Sequence, residues 1–296
     1  MGLIKYHAQV ISIFLFEIFN YFYFMFSKRL NIDIEPNELT LLYNAKKKSG
    51  EKIIDLTSTN PTKLDFHYDA KQILKHFIDE RSLVYDPDPR GLLCAREEIS
   101  EYYKEKSMTI SPDDIFVVPS TSEAYSYLFK LILDVDDEVL IPQPCYPLFE
   151  FLTKMDSGKV VYYPMVYDFR VGWSPDFEIL ERKITPKTKT IVIINPNNPT
   201  GSYLKKDDYQ KFNILSEKYN LSLIVDEVFS DFEISTDETA LMTAAGIESS
   251  MTFILNGFSK MLGLPQMKFG WILIQGDDKK KREAVKRLEV IADTYL

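Results

Sequence analysis

Histidine and cysteine are the scarcest reactive residues of this 296-residue chain, which has three of the first and two of the second. His7, His67 and His76 form no His-x-x-x-His or His-Glu-x-x-His pattern, and no acidic group has metal-ligand spacing. Zinc-dependent hydrolysis therefore has no ligand set to stand on. The Gly-x-Ser-x-Gly elbow of serine hydrolases is absent. Cys94 and Cys145 are far apart and form no Cys-x-x-Cys pair, as expected of two buried or half-buried thiols in a reducing compartment. Positive charge is also in deficit. Thirty-five Lys and Arg against 44 Asp and Glu leave a formal net charge of −9, which argues against nucleic acid as a partner. Any anion site must then be built locally, from backbone N–H groups and a few cations.

At 45% hydrophobic and 27% charged residues, the composition fits a globule of one large or two modest domains. No internal repeat or low-complexity linker divides it. One stretch departs from that pattern. Residues 8–26 are almost continuously apolar, broken by Gln9, Ser12, Glu17 and Asn20 and followed by Lys28-Arg29. The length suits a membrane span, but a glutamate in mid-span costs on the order of a few kcal/mol. There is no small-residue cleavage site for a secretory signal. Three readings stay open: an upstream extension preceding a start at Met25, a membrane anchor, and a buried amphipathic helix.

Beyond residue 30 short apolar runs alternate with amphipathic stretches. Strands are predicted at 115–118, 138–141, 159–163, 190–194, 222–225, 252–255 and 269–274. Helices are predicted at 70–79, 92–106, 122–133, 146–156, 206–219 and 279–292. That alternation predicts an α/β fold, a mainly parallel sheet sandwiched by helices. The strand runs are apolar without alternation, as when both faces are buried.

The polar motifs fall just past the predicted strand ends, where open α/β sheets bind ligands. Ser120-Thr121-Ser122 follows one strand and opens a helix, offering N–H groups and hydroxyls to a phosphate, or simply an N-cap. Asn195-Pro196-Asn197-Asn198-Pro199-Thr200-Gly201 is a turn stiffened by its prolines, in which Asn198 can donate to a phenolic oxygen. Asp226 closes a strongly apolar strand, where a carboxylate needs a partner. A pyridinium N–H, a salt bridge or a helix cap would each serve. Tyr146, in Pro144-Cys145-Tyr146-Pro147, can lie on an aromatic cofactor or pack in the core. Lys260, in Asn256-Gly257-Phe258-Ser259-Lys260, supplies an amine able to form a Schiff base. An amine, a carboxylate for a pyridinium nitrogen and a polar turn are what pyridoxal 5'-phosphate chemistry requires.

Taken together, these motifs resemble the class I/II aminotransferases, fold-type-I pyridoxal-phosphate enzymes, from about Ile53 to the last residue. The resemblance implies that Lys260 carries the cofactor and moves the proton at the substrate alpha carbon. Asp226 would pair with the ring nitrogen, Asn198 with the ring hydroxyl, and Tyr146 would stack on the ring. Thr121, Ser122, Ser259 and Lys268 would hold the phosphate. Tyr85, in Tyr85-Asp86-Pro87-Asp88-Pro89-Arg90-Gly91, would reach the phosphate of a neighbouring subunit in a homodimer, and Asn60 would approach the substrate carboxylate. Three departures accompany it. Phe229 stands in place of a tyrosine that hydrogen-bonds the ring oxygen, Lys268 in place of an arginine, and Gly257 in place of a serine. The chain is expected to be truncated at Leu296, before the arginine that binds the substrate alpha-carboxylate.

The implied organisation is an apolar extension (1–24), an N-terminal arm and small-domain segment (25–75), a large cofactor domain (76–285) and the start of a small domain (286–296). The implied activity is transfer of an amino group between an amino acid and a 2-oxo acid in the cytoplasm, with no metal and no nucleic acid. Alternatives on the same scaffold are a C–S lyase, a decarboxylase or a non-catalytic module.

Overall fold

In a computed structural model, the described residues are 27, 29, 35–54, 60–63, 67–233, 237–247 and 250–296. Residues 8–26, with their three readings, lie outside them. The chain divides into two units, Met1–Ser58 and Thr59–Leu296. In the first, helix α1 (Glu38–Lys48) begins at Asn37, whose side chain accepts from Thr40 N, and ends on three lysines that complement the helix dipole. It buries no residue, which is why periodicity did not reveal it.

The second unit runs α2 (Ala70–Leu74), α3 (Leu93–Glu105), β1 (Ile115–Val118), α4 (Thr121–Ile132), β2 (Glu138–Gln143) and α5 (Leu148–Met155). It continues through β3 (Lys159–Asp168), β4 (Gly172–Pro175), α6 (Phe177–Arg182), β5 (Thr188–Ile194), α7 (Lys206–Tyr219) and β6 (Ser222–Asp226). Last come β7 (Thr252–Gly257), α8 (Phe258–Met261), β8 (Gly270–Gln275) and α9 (Asp278–Asp293). The expected strands and helices are all present, with shifted ends. The predicted helix at 146–156 starts at Leu148 instead, because Pro147 holds Tyr146 out of the helical region. Residues 70–79 form only the short α2 and a 3₁₀ turn at Lys75–Phe77. Strand β4 was not anticipated: it pairs with an extension of β3 that contains Pro164, a residue that ordinarily argues against a strand.

The eight strands form one sheet in the order β1-β8-β7-β6-β5-β2-β3-β4. β7, β6, β5, β2 and β3 run parallel, while β8 is antiparallel to both β7 and β1. The fold is thus α/β with a mainly parallel sheet and helices on both faces. Successive strand residues feed opposite cores, since side chains alternate across a sheet. Ile191, Ile193, Leu223 and Val225 join α3, α6 and α7 on one face. Val192, Ile194, Ile224 and Leu255 join α4, α5 and α9 on the other. Burial on both sides explains the unbroken apolar runs. Among the described residues no helix is long and apolar enough to cross a membrane, and no group of His, Cys, Asp or Glu is placed to hold a metal ion.

Candidate active site

The topology brings the carboxyl ends of β1, β2, β5, β6 and β7 to one edge. β8 runs against them, so its first residues arrive at that same edge. Gly270 is opposite both Val118 of β1 and Gly257 of β7. The residues after β1, after β7 and before β8 therefore meet, around a cleft of about 950 Å³.

Two glycines make this junction possible. A Cβ on Gly257 would lie 2.6 Å from the Phe269 carbonyl oxygen, and one on Gly270 would lie 3.1 Å from the Asn256 carbonyl oxygen and 3.4 Å from Thr121 N. The close approach of β7 to the residues entering β8 thus leaves little room for a side chain at Gly257.

One corner of the cleft is the N-terminus of α4. Ser120 caps it by accepting from Glu123 N at 3.2 Å. The N–H groups of Thr121 and Ser122 have no acceptor among the described residues, and both residues line the cleft. Unpaired N–H groups at the positive end of a helix dipole are an anion site. Ser259 and Lys268 line the same cleft. Lys268 has a left-handed backbone (φ 51), an uncommon state for a residue with a side chain and one that clusters at functional sites.

Asp226 ends β6 on the face shared with α4. It is only 6% exposed, and its carboxylate accepts from the Tyr125 hydroxyl at 3.1 Å and from Val228 N at 3.2 Å. Burial pushes its pKa up to about 6, with these two hydrogen bonds pulling the other way. Both donors are neutral, and no ion pair with a described cation offsets the burial. The next residue, Glu227, turns to the opposite face, where it accepts from Ala244 N and the Thr243 hydroxyl, each at 2.7 Å. Burial pushes its pKa up to about 7.

The asparagine turn separates structural from exposed side chains. Asn195 donates to Leu241 O (2.7 Å) and accepts from Leu204 N (2.9 Å), while Asn197 accepts from Thr200 N and the Thr200 hydroxyl. The Asn198 side chain has no partner among the described residues and lines the cleft. Tyr146 also lines it, 52% exposed beyond the end of β2. Lys260 sits in the single turn α8 directly after β7, its Nζ 5.8 Å from the centre of the Phe229 ring.

Lys260, Thr121, Ser122, Tyr146, Asn198, Asp226, Ser259 and Lys268 thus share one cleft, although they span 148 positions of sequence (121 to 268). Tyr85 and Asn60 are not on its lining. Tyr85 is 80% exposed, and the Asn60 side chain accepts from Thr62 N and the Thr62 hydroxyl. Sequence reasoning missed Tyr125 and Tyr68. Tyr125 lies four residues after Thr121, on the same helix face, and that spacing was the available signal. Tyr68 has no motif around it; only its long-range contact reveals it. Cys94 is exposed rather than buried, and burial pushes the Cys145 thiol up to about 11, which keeps it protonated.

Known proteins are similar to this chain in sequence and fold. The family model described as aminotransferase class I and II matches residues 51–296. The chain is 31% identical over 253 residues to the glutamate-pyruvate aminotransferase AlaA of Escherichia coli, covering 84% of this chain and 61% of that protein. It is 30% identical to the alanine aminotransferase of Mycobacterium tuberculosis, covering 83% and 57%. The solved structure of an alanine aminotransferase from Pyrococcus furiosus superposes with a TM-score of 0.79 at 29% identity, over 92% of this chain and 69% of that one. The chain therefore spans about 61% of the length of the first of these relatives. With a match over residues 51–296 and the motif residues gathered in one cleft, the chain belongs to the class I and II aminotransferase family.

Proposed function

We propose that this chain forms the cofactor cleft of an aminotransferase that moves an amino group between an amino acid and a 2-oxo acid, with pyridoxal 5'-phosphate held in the cleft. The observation that carries the proposal is Asp226. It is a buried carboxylate hydrogen-bonded only by neutral donors among the described residues, and it shares a cleft with Lys260. A protonated ring nitrogen is the missing cation. The unpaired N–H groups of Thr121 and Ser122 and the nearby Lys268 fit a phosphate, and the unpartnered Asn198 amide fits a ring hydroxyl.

Bound there, pyridoxal phosphate supplies an aldehyde that condenses with primary amines and a ring that draws electrons from the bond next to the nitrogen. Lys260 would present the amine that holds the cofactor, and its Nζ would move a proton at the substrate alpha carbon. Asp226 keeps the ring nitrogen protonated, and the pairing favours the ionised carboxylate. Thr121, Ser122, Ser259 and Lys268 hold the phosphate, with Lys268 giving charge without the bidentate fork of an arginine. Tyr146 covers the ring. Phe229 offers no hydroxyl to the ring oxygen.

Tyr85, with exposed Leu83 and Val84 beside it, supports a second copy of the chain covering that face, so that Tyr85 serves the partner's cleft. Asn60 is proposed to meet the substrate carboxylate. The divisions at 25–75, 76–285 and 286–296 belong to the same reading, as does a cytoplasmic location, which the free cysteines support.

The test is direct. Purified chain mixed with pyridoxal phosphate is expected to develop visible absorbance, and borohydride should trap the cofactor on Lys260. No colour, or colour unaltered by Lys260→Ala, sinks the cofactor assignment. Amino exchange that depends on an added 2-oxo acid supports transamination. Ammonia release without one indicates a lyase, and loss of carbon dioxide a decarboxylase.

A further inference from the structure

The turn that carries Lys260 is one of the shortest helices in the unit, four residues long, and it has no side-chain cap at its start. Such a turn has little stability of its own, because helix nucleation is unfavourable and so short a helix closes few hydrogen bonds. Two carbonyls that follow it are held from a distant part of the chain. The Tyr68 hydroxyl donates to Gly263 O at 2.8 Å and is shared with Leu262 O at 3.1 Å. The contact bridges 194 and 195 positions of sequence. Tyr68 and its neighbour His67 line the same cleft as Lys260, Ser259 and Lys268.

We infer that Tyr68 is a positioning residue: its hydroxyl anchors the backbone that leaves the turn bearing Lys260 and couples the rim segment around residues 67–68 to the placement of the reactive amine. The inference rests on the cofactor reading above. The hydroxyl is engaged by Leu262 O and Gly263 O, so it acts through the backbone after Lys260. Its effect is to hold the two carbonyls just past the turn, and so to reduce the number of orientations Nζ samples. Movement of the rim segment is then felt at Lys260 through these two contacts.

The test compares the intact chain with its Tyr68→Phe variant, which keeps the ring and removes the donor. Two ligands are used. Pyridoxal phosphate needs Lys260 to be correctly placed, whereas pyridoxamine phosphate has no aldehyde and needs only the ring and phosphate contacts. The variant is expected to bind pyridoxal phosphate about 3- to 10-fold more weakly, the worth of one hydrogen bond, with borohydride trapping on Lys260 slowed in step. Affinity for pyridoxamine phosphate should change less than about twofold, since its contacts are untouched. Amide exchange at 262–264 should quicken while that of β5 and β6 stays the same. Equal loss of both ligands, or exchange that rises throughout the sheet, marks a merely structural tyrosine and overturns the inference. So does a variant that behaves as the parent. If the parent binds neither ligand, the cofactor reading fails, and the exchange at 262–264 alone decides whether Tyr68 holds the turn.

Discussion

Replacing Glu227 by glutamine should make the protein more stable at neutral and alkaline pH while leaving it unchanged in acid. Glu227 is buried at the end of β6 with no ion-pair partner at hydrogen-bond distance, and burial raises its pKa from the ordinary 4.5 to about 7. An acid raised in this way binds more protons folded than unfolded between those two values. Stability therefore falls as pH rises from 4.5 to 7, and is level outside that window. At 1.36 kcal/mol per pH unit, the ionised side chain costs the folded protein about 3 kcal/mol above pH 7. Glutamine keeps the shape and stays satisfied. Its carbonyl accepts from Ala244 N, and its amide donates to the Thr243 oxygen, which already accepts from Ala245 N and has a lone pair to spare.

The assay is thermal and urea unfolding of parent and Glu227→Gln from pH 4.5 to 9. The two should coincide near pH 4.5 and diverge to about 3 kcal/mol by pH 8, a gain of roughly 4–8 °C in melting temperature for a domain of this size. The slopes from Asp226 and from surface carboxylates are common to both proteins and cancel in the difference. Parallel curves across the whole range would falsify the burial argument. A variant less stable at every pH would show that the carboxylate geometry cannot be met by an amide.

Three further outcomes follow from the same contacts. Phe229→Tyr restores a donor near Lys260 and should lower the pH at which the bound cofactor's absorbance changes, because the phenolate form gains a hydrogen bond; a pH titration of the spectrum checks it. Gly257→Ser places a Cβ against the Phe269 carbonyl and should cost about 1–3 kcal/mol in urea unfolding. Arg96→Ala removes a buried guanidinium that donates to Gly91 O, Pro112 O and Asp88. A loss of about 3 kcal/mol is expected, with the segment around Asp88 becoming open to proteolysis.

Local pattern was enough for the strands of the central sheet. Runs such as Thr190 to Ile194 are apolar at every position, a property that only a strand buried on both faces requires. The polar residues just past those runs marked the cleft for the same reason, since strand ends in such sheets are where backbone and side chains are left free. That Lys260, Asp226 and Asn198 would share a cleft was legible because the strand ends gave their position.

Other features had no local signal. That β8 enters against its neighbours, carrying Lys268 to the site from the opposite direction, depends on hydrogen-bond register between strands far apart in sequence. What crowds Gly257 is a carbonyl twelve residues away in sequence and 2.6 Å away in space from where a Cβ would sit. That Asn195 and Asn197 are consumed by the turn while Asn198 faces the cleft is a matter of which donors fold back onto each. Alternation put Asp226 and Glu227 on opposite faces, but only packing decided that one would meet Tyr125 and the other Thr243. Tyr68 is the extreme case: a tyrosine without a motif, whose role comes from two carbonyls nearly two hundred residues away. Sequence by itself determined the periodicity, the strand ends and the chemical types, because these are properties of neighbours along the chain. The tertiary structure alone decided which groups are paired, which are left free and what holds Lys260 in place, because burial and long-range hydrogen bonds are properties of neighbours in space.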